Sequence, residues 1–229
     1  MAFYLGASTE WNISVTYQKG GIDMGHKVIT IAREFGSGGR AVGEKLAEKL
    51  GMEYYDKKLI SLAAQKSGIR EDLFENADEQ PTNSLLYSLA MGAHSLSNAF
   101  FQYDDTLTND KLFLIQSDII RSLAREKSCV IVGRCADYLL RDEPYAFSVF
   151  IHADYDTRLA RVQELYQLSP SQAKDLIKRT DKKRKSYVEF YTSQVWGAAK
   201  NYDLSLNSSL LGIDGTVDLI AELAEHFRK

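Results

Sequence analysis

The chain has 229 residues, 45% hydrophobic and 26% charged, a balance that fits one sizeable soluble domain or a domain with a small insert. Its net charge of −3 argues against any general attraction to nucleic acid or to an anionic membrane surface, so anion binding must come from local clusters. No apolar run approaches the ~18 residues needed to cross a bilayer, and the N-terminus lacks the basic start and apolar block of a secretory signal, so a cytoplasmic protein is expected.

Residues 1–25 are polar and without clear period, and read as an extension with no assigned role. Val28–Ala32 is a β-branched run that reads as a buried parallel strand. A glycine-rich turn follows. A helix then starts near Arg40, with Val42, Leu46, Ala47 and Leu50 at helical spacing and Gly51 as its stop. Met52–Tyr55 is a short second strand. Asp56 ends it and opens a predicted helix over Lys57–Gln65, closed by Gly68. Residues 69–108 hold an acidic cluster, then Pro81, then the Leu85–Phe101 stretch, and read as a helical insert.

Asn109–Lys127 is a predicted helix with Leu112, Ile115, Ile119, Ile120 and Leu123 as its core stripe. Cys129–Val132 and Ala146–His152 are the third and fourth strands, ending in Gly133-Arg134 and Ala153-Asp154. A helix over Asp156–Leu168 carries Arg158 and Arg161. Ser169-Pro170 opens the next helix by cap and first-turn rules, and it runs into Arg179, Asp181, Lys182, Lys183 and Arg184. Leu204–Asn207 is the last strand and Gly215–Phe227 the last helix. The two cysteines, Cys129 and Cys135, read as reduced thiols.

Strands alternating with helices predict a three-layer α/β/α fold with a mostly parallel sheet. Ligands of such sheets sit beyond the carboxyl ends of the strands. Gly36–Arg40, Asp56, Gly133-Arg134 and Ala153-Asp154 all fall there and predict one site.

The glycine loop joins a strand end to a helix N-terminus. It collects backbone N–H groups and the positive end of the helix dipole, which suits a phosphate. It matches G-x-x-x-x-G-K-[ST] poorly: Arg33 takes the first glycine position, Gly38 the last, and Gly39 the lysine. It also fits the dinucleotide fingerprint through Gly36, Gly38 and Ala41, with Asp56 near the offset of a ribose-binding acid, which would instead suit an NAD(P)-binding oxidoreductase, a weaker reading because it gives the basic run at 179–184 no role. Asp56 reads equally well as a helix N-cap. Asp137 is open to two roles, orienting Arg134 or capping the helix at 138. His26, His94, His152 and His226 are scattered and read as structural or exposed. Tyr187, Phe190, Tyr191 and Trp196 suit core packing or a subunit interface, and homo-oligomer formation stays open.

The run Ile31–Arg40, with Leu46–Gly51 and Tyr54–Ile60, resembles the cytidylate kinase-like family, a nucleoside monophosphate kinase branch with a variant phosphate loop. Val130–Arg134, Phe150–Ala153, the basic run at 179–184 and Tyr202–Asn207 fit as well, so the resemblance covers about residues 26–229 as a single P-loop kinase domain. It implies ATP as donor, Mg²⁺, and a small nucleotide acceptor such as CMP, with no nucleic acid or membrane partner. Gly36, Ser37, Gly38, Gly39, Arg40 and Ala41 would surround the donor phosphates. Arg40 would stand in for the lysine with a planar fork instead of a compact charge. Cytidylate kinases proper carry a Thr for Mg²⁺ where this chain has Ala41, which leaves Ser37 as the only loop hydroxyl.

Arg134 resembles the acceptor-phosphate clamp, with Asp56 beside it, and the insert at about 57–108 would lie on the acceptor side. A lid at about 158–190 would bring Arg158, Arg161, Arg179, Lys183 and Arg184 over the transferring phosphate, with Asp181 holding one of them. Arg40, Arg179 and Arg184 would be catalytic. The missing lysine and threonine also fit a nucleotide-binding protein of weak or no kinase activity.

Overall fold

Residues 26–56 and 109–227 are described by the computed structural model. The extension at 1–25, the predicted helix at 57–65 and the insert at 69–108 lie outside them. Five strands run through the described residues: β1 (Val28–Arg33), β2 (Glu53–Tyr55), β3 (Cys129–Val132), β4 (Ala146–His152) and β5 (Leu204–Asn207). They pair in the order β2-β3-β1-β4-β5, and every pairing is parallel. The predicted strands agree with these within a residue. A dinucleotide-binding fold pairs its first two strands directly. Here β3 stands between them.

Six α-helices of the described residues accompany the sheet: α1 (Gly39–Leu50), α2 (Asn109–Glu126), α3 (Ala136–Leu139), α4 (Tyr155–Tyr166), α5 (Pro170–Thr192) and α6 (Ser208–His226). The period-two alternation of the strands sorts the core into two layers. Ile29 and Ile31 of β1 with Val130 and Val132 of β3 pack on Val42 and Leu46 of α1 and on Val217 and Ile220 of α6. Cys129 and Ile131 pack on the other side with Ile119, Ile120 and Leu123 of α2 and with Leu140. Both cysteines are buried, and neither is in a disulfide. No helix of the described residues is long and apolar enough to cross a membrane.

The caps follow the sequence signals. Gly51 ends α1 in a left-handed conformation (φ 63°), and its N–H is given to Ala47 and Glu48 carbonyls. Ser169 and Gln172 form a reciprocal capping box ahead of Pro170. α6 departs from the prediction. It begins at Ser208, where the Asn207 side chain accepts the Ser209 N–H at 2.9 Å, and it is broken at Gly212 (φ 66°, ψ −178°). The predicted helix from Gly215 falls within its longer segment, after the break. α5 also runs further than its basic segment, to Thr192. A third, smaller core (Val162, Ala173 and Ile177) joins α4 to α5 and takes in Phe35 of the glycine loop.

Candidate functional site

The loop Glu34–Gly38 leaves the carboxyl end of β1 and delivers the chain into α1. Gly38, its last residue, has φ 82°, a region that L side chains seldom adopt. A Cβ there would lie 2.2 Å from Ile213 Cδ1.

Each loop carbonyl is engaged from outside or from within the turn. The Arg33 carbonyl accepts from Arg184 Nη1 (3.2 Å), that of Glu34 from Ser37 Oγ (2.9 Å), and that of Phe35 from Arg158 Nε (2.7 Å). Arg161 Nη1 donates to the carbonyls of Gly36 (3.4 Å) and Ser37 (2.8 Å), and Ser208 Oγ also donates to the latter (2.6 Å). The Val42 N–H donates to the Gly38 carbonyl (2.9 Å). The N–H groups of Gly36, Gly38, Arg40 and Ala41, in contrast, have no protein acceptor among the described residues. Carbonyls held back and amides left over at a helix N-terminus make a cradle for an anion.

The arginines expected in a lid divide into two groups. Arg158 is buried and Arg161 half-buried, and both hold the loop instead of reaching over it. Arg158 Nη1 lies 3.1 Å from Glu34 Oε2, and its Nη2 is paired with Asp181 Oδ2. Burial lowers the pKa of Arg161. Arg184 turns back toward the loop and stands over the Phe35 ring, 5.6 Å from its centroid. Arg179 and Lys183 are exposed, and Arg179 Nε donates to the Asp175 carbonyl of its own helix (3.3 Å). The structure therefore brings Arg158, Arg161 and Arg184 together and leaves Arg179 and Lys183 apart from them.

On the β3 side, Gly133, Arg134 and Cys135 are successive left-handed residues (φ 80°, 55° and 54°). This turn sends the Arg134 side chain inward. It is buried, donates from Nη1 to the Asp56 carbonyl (3.2 Å) and lies 3.7 Å from Asp56 Oδ1. Arg40 Nε lies 3.2 Å from Asp56 Oδ2 while its side chain is 61% exposed. Asp56 thus joins the residue expected at the donor phosphates to the one expected at the acceptor.

A cavity opens between the ends of β1 and β3 and the flank of α5. Arg33, Arg134, Asp137, Arg184, Tyr187 and Trp196 line it. Burial pushes the Asp137 carboxyl up to about 6, opposed by its own N–H, the Tyr138 N–H and the charge of Arg33. Past Trp196 a second, open cleft runs along Phe150, His152 and Ser205.

Two participants carry little signal in the sequence. Arg33 reads only as a misfit to the glycine pattern, and Glu34 matches no pattern. An acid directly ahead of an anion-binding loop is itself a signal, because it needs a cation to cancel it, and Arg158 does so. Ser37 offers no outward hydroxyl. It is wholly buried, its Oγ donates to Glu34, and the same oxygen accepts from the Gly39 N–H (3.3 Å). The described residues hold no group of three or more His, Cys, Asp or Glu side chains that suits a metal ion. The loop residues thus do not fit a protein-held Mg²⁺.

The chain is similar to known proteins in sequence and in fold. Residues 28–210 match the sequence model of the cytidylate kinase-like family. No curated protein matches the chain. An uncharacterized protein from Eubacterium ventriosum superposes with a TM-score of 0.64 at 30% identity, over 87% of this chain and 98% of that one. Shikimate kinase from Bacteroides thetaiotaomicron superposes with a TM-score of 0.52 at 15% identity, over 87% and 98% of the two chains, a likeness of fold. The matched span takes in the amide cradle, the buried Arg134 and the α4–α5 pair that grips the loop, and it places this chain in the cytidylate kinase-like family, on a P-loop kinase fold.

Proposed function

We propose that the protein is an ATP-dependent phosphotransferase that moves the γ-phosphoryl group to CMP or a related small anionic acceptor. The observation that carries this reading is the adjacency of two features that suit anions. One is the cradle of Gly36, Gly38, Arg40 and Ala41 amides, and the other is the cavity lined by Arg33, Arg134 and Arg184. Phosphoryl transfer asks little covalent chemistry of the protein. It asks for positioning and for positive charge on the group in flight.

In this reading the loop amides hold the donor phosphates, and Arg134 with Arg33 takes the anionic end of the acceptor. Arg184 lines the cavity and also touches the loop, so it is the side chain best placed to meet the group between donor and acceptor. Arg40 and Asp56 flank the pair, and Arg179 and Lys183 add charge at the rim of α5. The family implies Mg²⁺. With no outward loop hydroxyl to hold it, the metal would enter on the phosphates of the nucleotide, as Mg²⁺ commonly does.

The test is ADP release from ATP with CMP, dCMP, UMP, AMP and shikimate offered in turn, beside calorimetric ATP binding. Turnover with one of them is expected. ATP binding without turnover on any favours the second reading, a nucleotide-binding protein of weak or no activity, which the missing lysine and the buried Ser37 hydroxyl support. No ATP binding at all refutes both.

A further inference from the structure

We propose that Asp181, acting with Arg158, is a positioning residue for the phosphate loop, a role that rests on the phosphotransferase reading above. The two side chains grip one peptide residue from both ends. Asp181 Oδ1 accepts the Phe35 N–H at 2.8 Å, and Arg158 Nε donates to the Phe35 carbonyl at 2.7 Å. Asp181 Oδ2 and Arg158 Nη2 are themselves paired, so the clamp closes on itself. Glu34 Oε2 braces Arg158 from the other side at 3.1 Å and accepts the Ala153 N–H at 3.2 Å, which anchors the assembly to the end of β4. The Phe35 ring is held too, stacked on Tyr166 at 5.7 Å.

Phe35 directly precedes Gly36, the first residue of the cradle. Its peptide orientation therefore sets the direction of the amides that follow. A phosphate loop with a lysine reaches its nucleotide through that side chain as well as through its amides. This loop has none, so the direction of its amides matters more. The clamp supplies that direction from α4 and α5. It also ties the middle of α5 to the loop, so α5 cannot lift without releasing the Phe35 N–H. Asp181 touches neither reacting group in this arrangement. It acts through the backbone of Phe35.

The test uses the full chain, Asp181→Asn and Asp181→Ala, with amide spectra recorded free of ligand and during titration with inorganic tripolyphosphate. Asparagine can still accept the Phe35 N–H but cannot pair with Arg158 as an ion, whereas alanine does neither. Shifted Phe35, Gly36 and Gly38 amide signals are expected in both variants, larger in Asp181→Ala. Tripolyphosphate affinity should fall about tenfold in Asp181→Asn and further in Asp181→Ala, in line with the loss of charge-assisted hydrogen bonds. A merely structural aspartate would lower the unfolding temperature and leave those signals and the affinity in place, and that result overturns the proposal. Shifted amides with unchanged affinity overturn it as well. Should Asp181→Ala fail to fold, Asp181→Asn and Arg158→Lys give the same reading. If wild-type protein binds neither tripolyphosphate nor ATP, the phosphotransferase reading fails, while the ligand-free amide signals still decide the clamp.

Discussion

Gly38→Ala tests whether the loop is built as described. At φ 82° an alanine pays the left-handed penalty, about 1–2 kcal/mol. Its Cβ would also stand 2.2 Å from Ile213 Cδ1 and 3.2 Å from Arg161 Nη1. The isoleucine contact is with the far end of a half-buried side chain, so relief comes from its displacement, an overpacking cost of about 1–3 kcal/mol. Together these predict a loss of about 3 kcal/mol. Urea unfolding of wild type, Gly38→Ala, Ile213→Ala and the double variant separates the parts. Trimming Ile213 removes the steric part and leaves the backbone strain, so the glycine change should cost only about 1–2 kcal/mol in that background. ATP affinity should fall in the single variant and recover only in part in the double, because the strained amide remains. Strict additivity of the two changes, or a loss below about 1 kcal/mol for Gly38→Ala alone, would refute the reasoning.

Other consequences are testable in the same way. Arg134→Ala should raise KM for the acceptor by about tenfold or more while ATP binding changes little, and equal losses in both would make Arg134 a structural residue. Asp137 has its folded-state pKa raised, from 3.8 to about 6, so its contribution to stability is fully present below pH 3.8 and is lost as pH rises through 6. Wild type should therefore lose up to about 3 kcal/mol relative to Asp137→Asn between pH 4 and pH 7, read by denaturant unfolding across that range. A difference that stays constant with pH would show that Asp137 titrates normally.

The strands were legible because runs such as Val28–Ile31 and Cys129–Val132 are short, apolar and β-branched, and glycines or turns bound them. The convergence of Gly36–Arg40, Asp56 and Arg134 was legible from topology alone, since strand ends of a parallel sheet meet at one edge. The tie among Glu34, Arg158 and Asp181 was not. Its members lie more than a hundred residues apart for two of the three pairs, and a charge carries no mark of its distant partner. One trace was present. On α4, Arg158 shares a helical face with Val162, and both are buried. A guanidinium on an apolar stripe must be satisfied by something. The basic run misled for the complementary reason: its composition is uniform, but α5 turns Arg184 inward and Arg179 and Lys183 outward.

The missing lysine takes on a different meaning once the acceptors around the loop are sorted by charge. Arg158 sits between two carboxylates, Glu34 and Asp181, so it holds geometry without adding net positive charge to the site. Arg161 spends its hydrogen bonds on the carbonyls of Gly36 and Ser37 and on the hydroxyl of Ser208, all of them neutral. Its full charge stays beside the loop. A half-buried cation a few ångströms behind a row of amides attracts an anion held in front of them, because Coulomb attraction at such range is weakly screened inside a protein. If the phosphotransferase reading holds, shape and charge, which one lysine and its loop would share, are divided between two arginines one turn apart on α4, and Arg40, paired with Asp56, is not alone in replacing the lysine. In that reading Arg158 fixes the peptide, and Arg161 would supply the field.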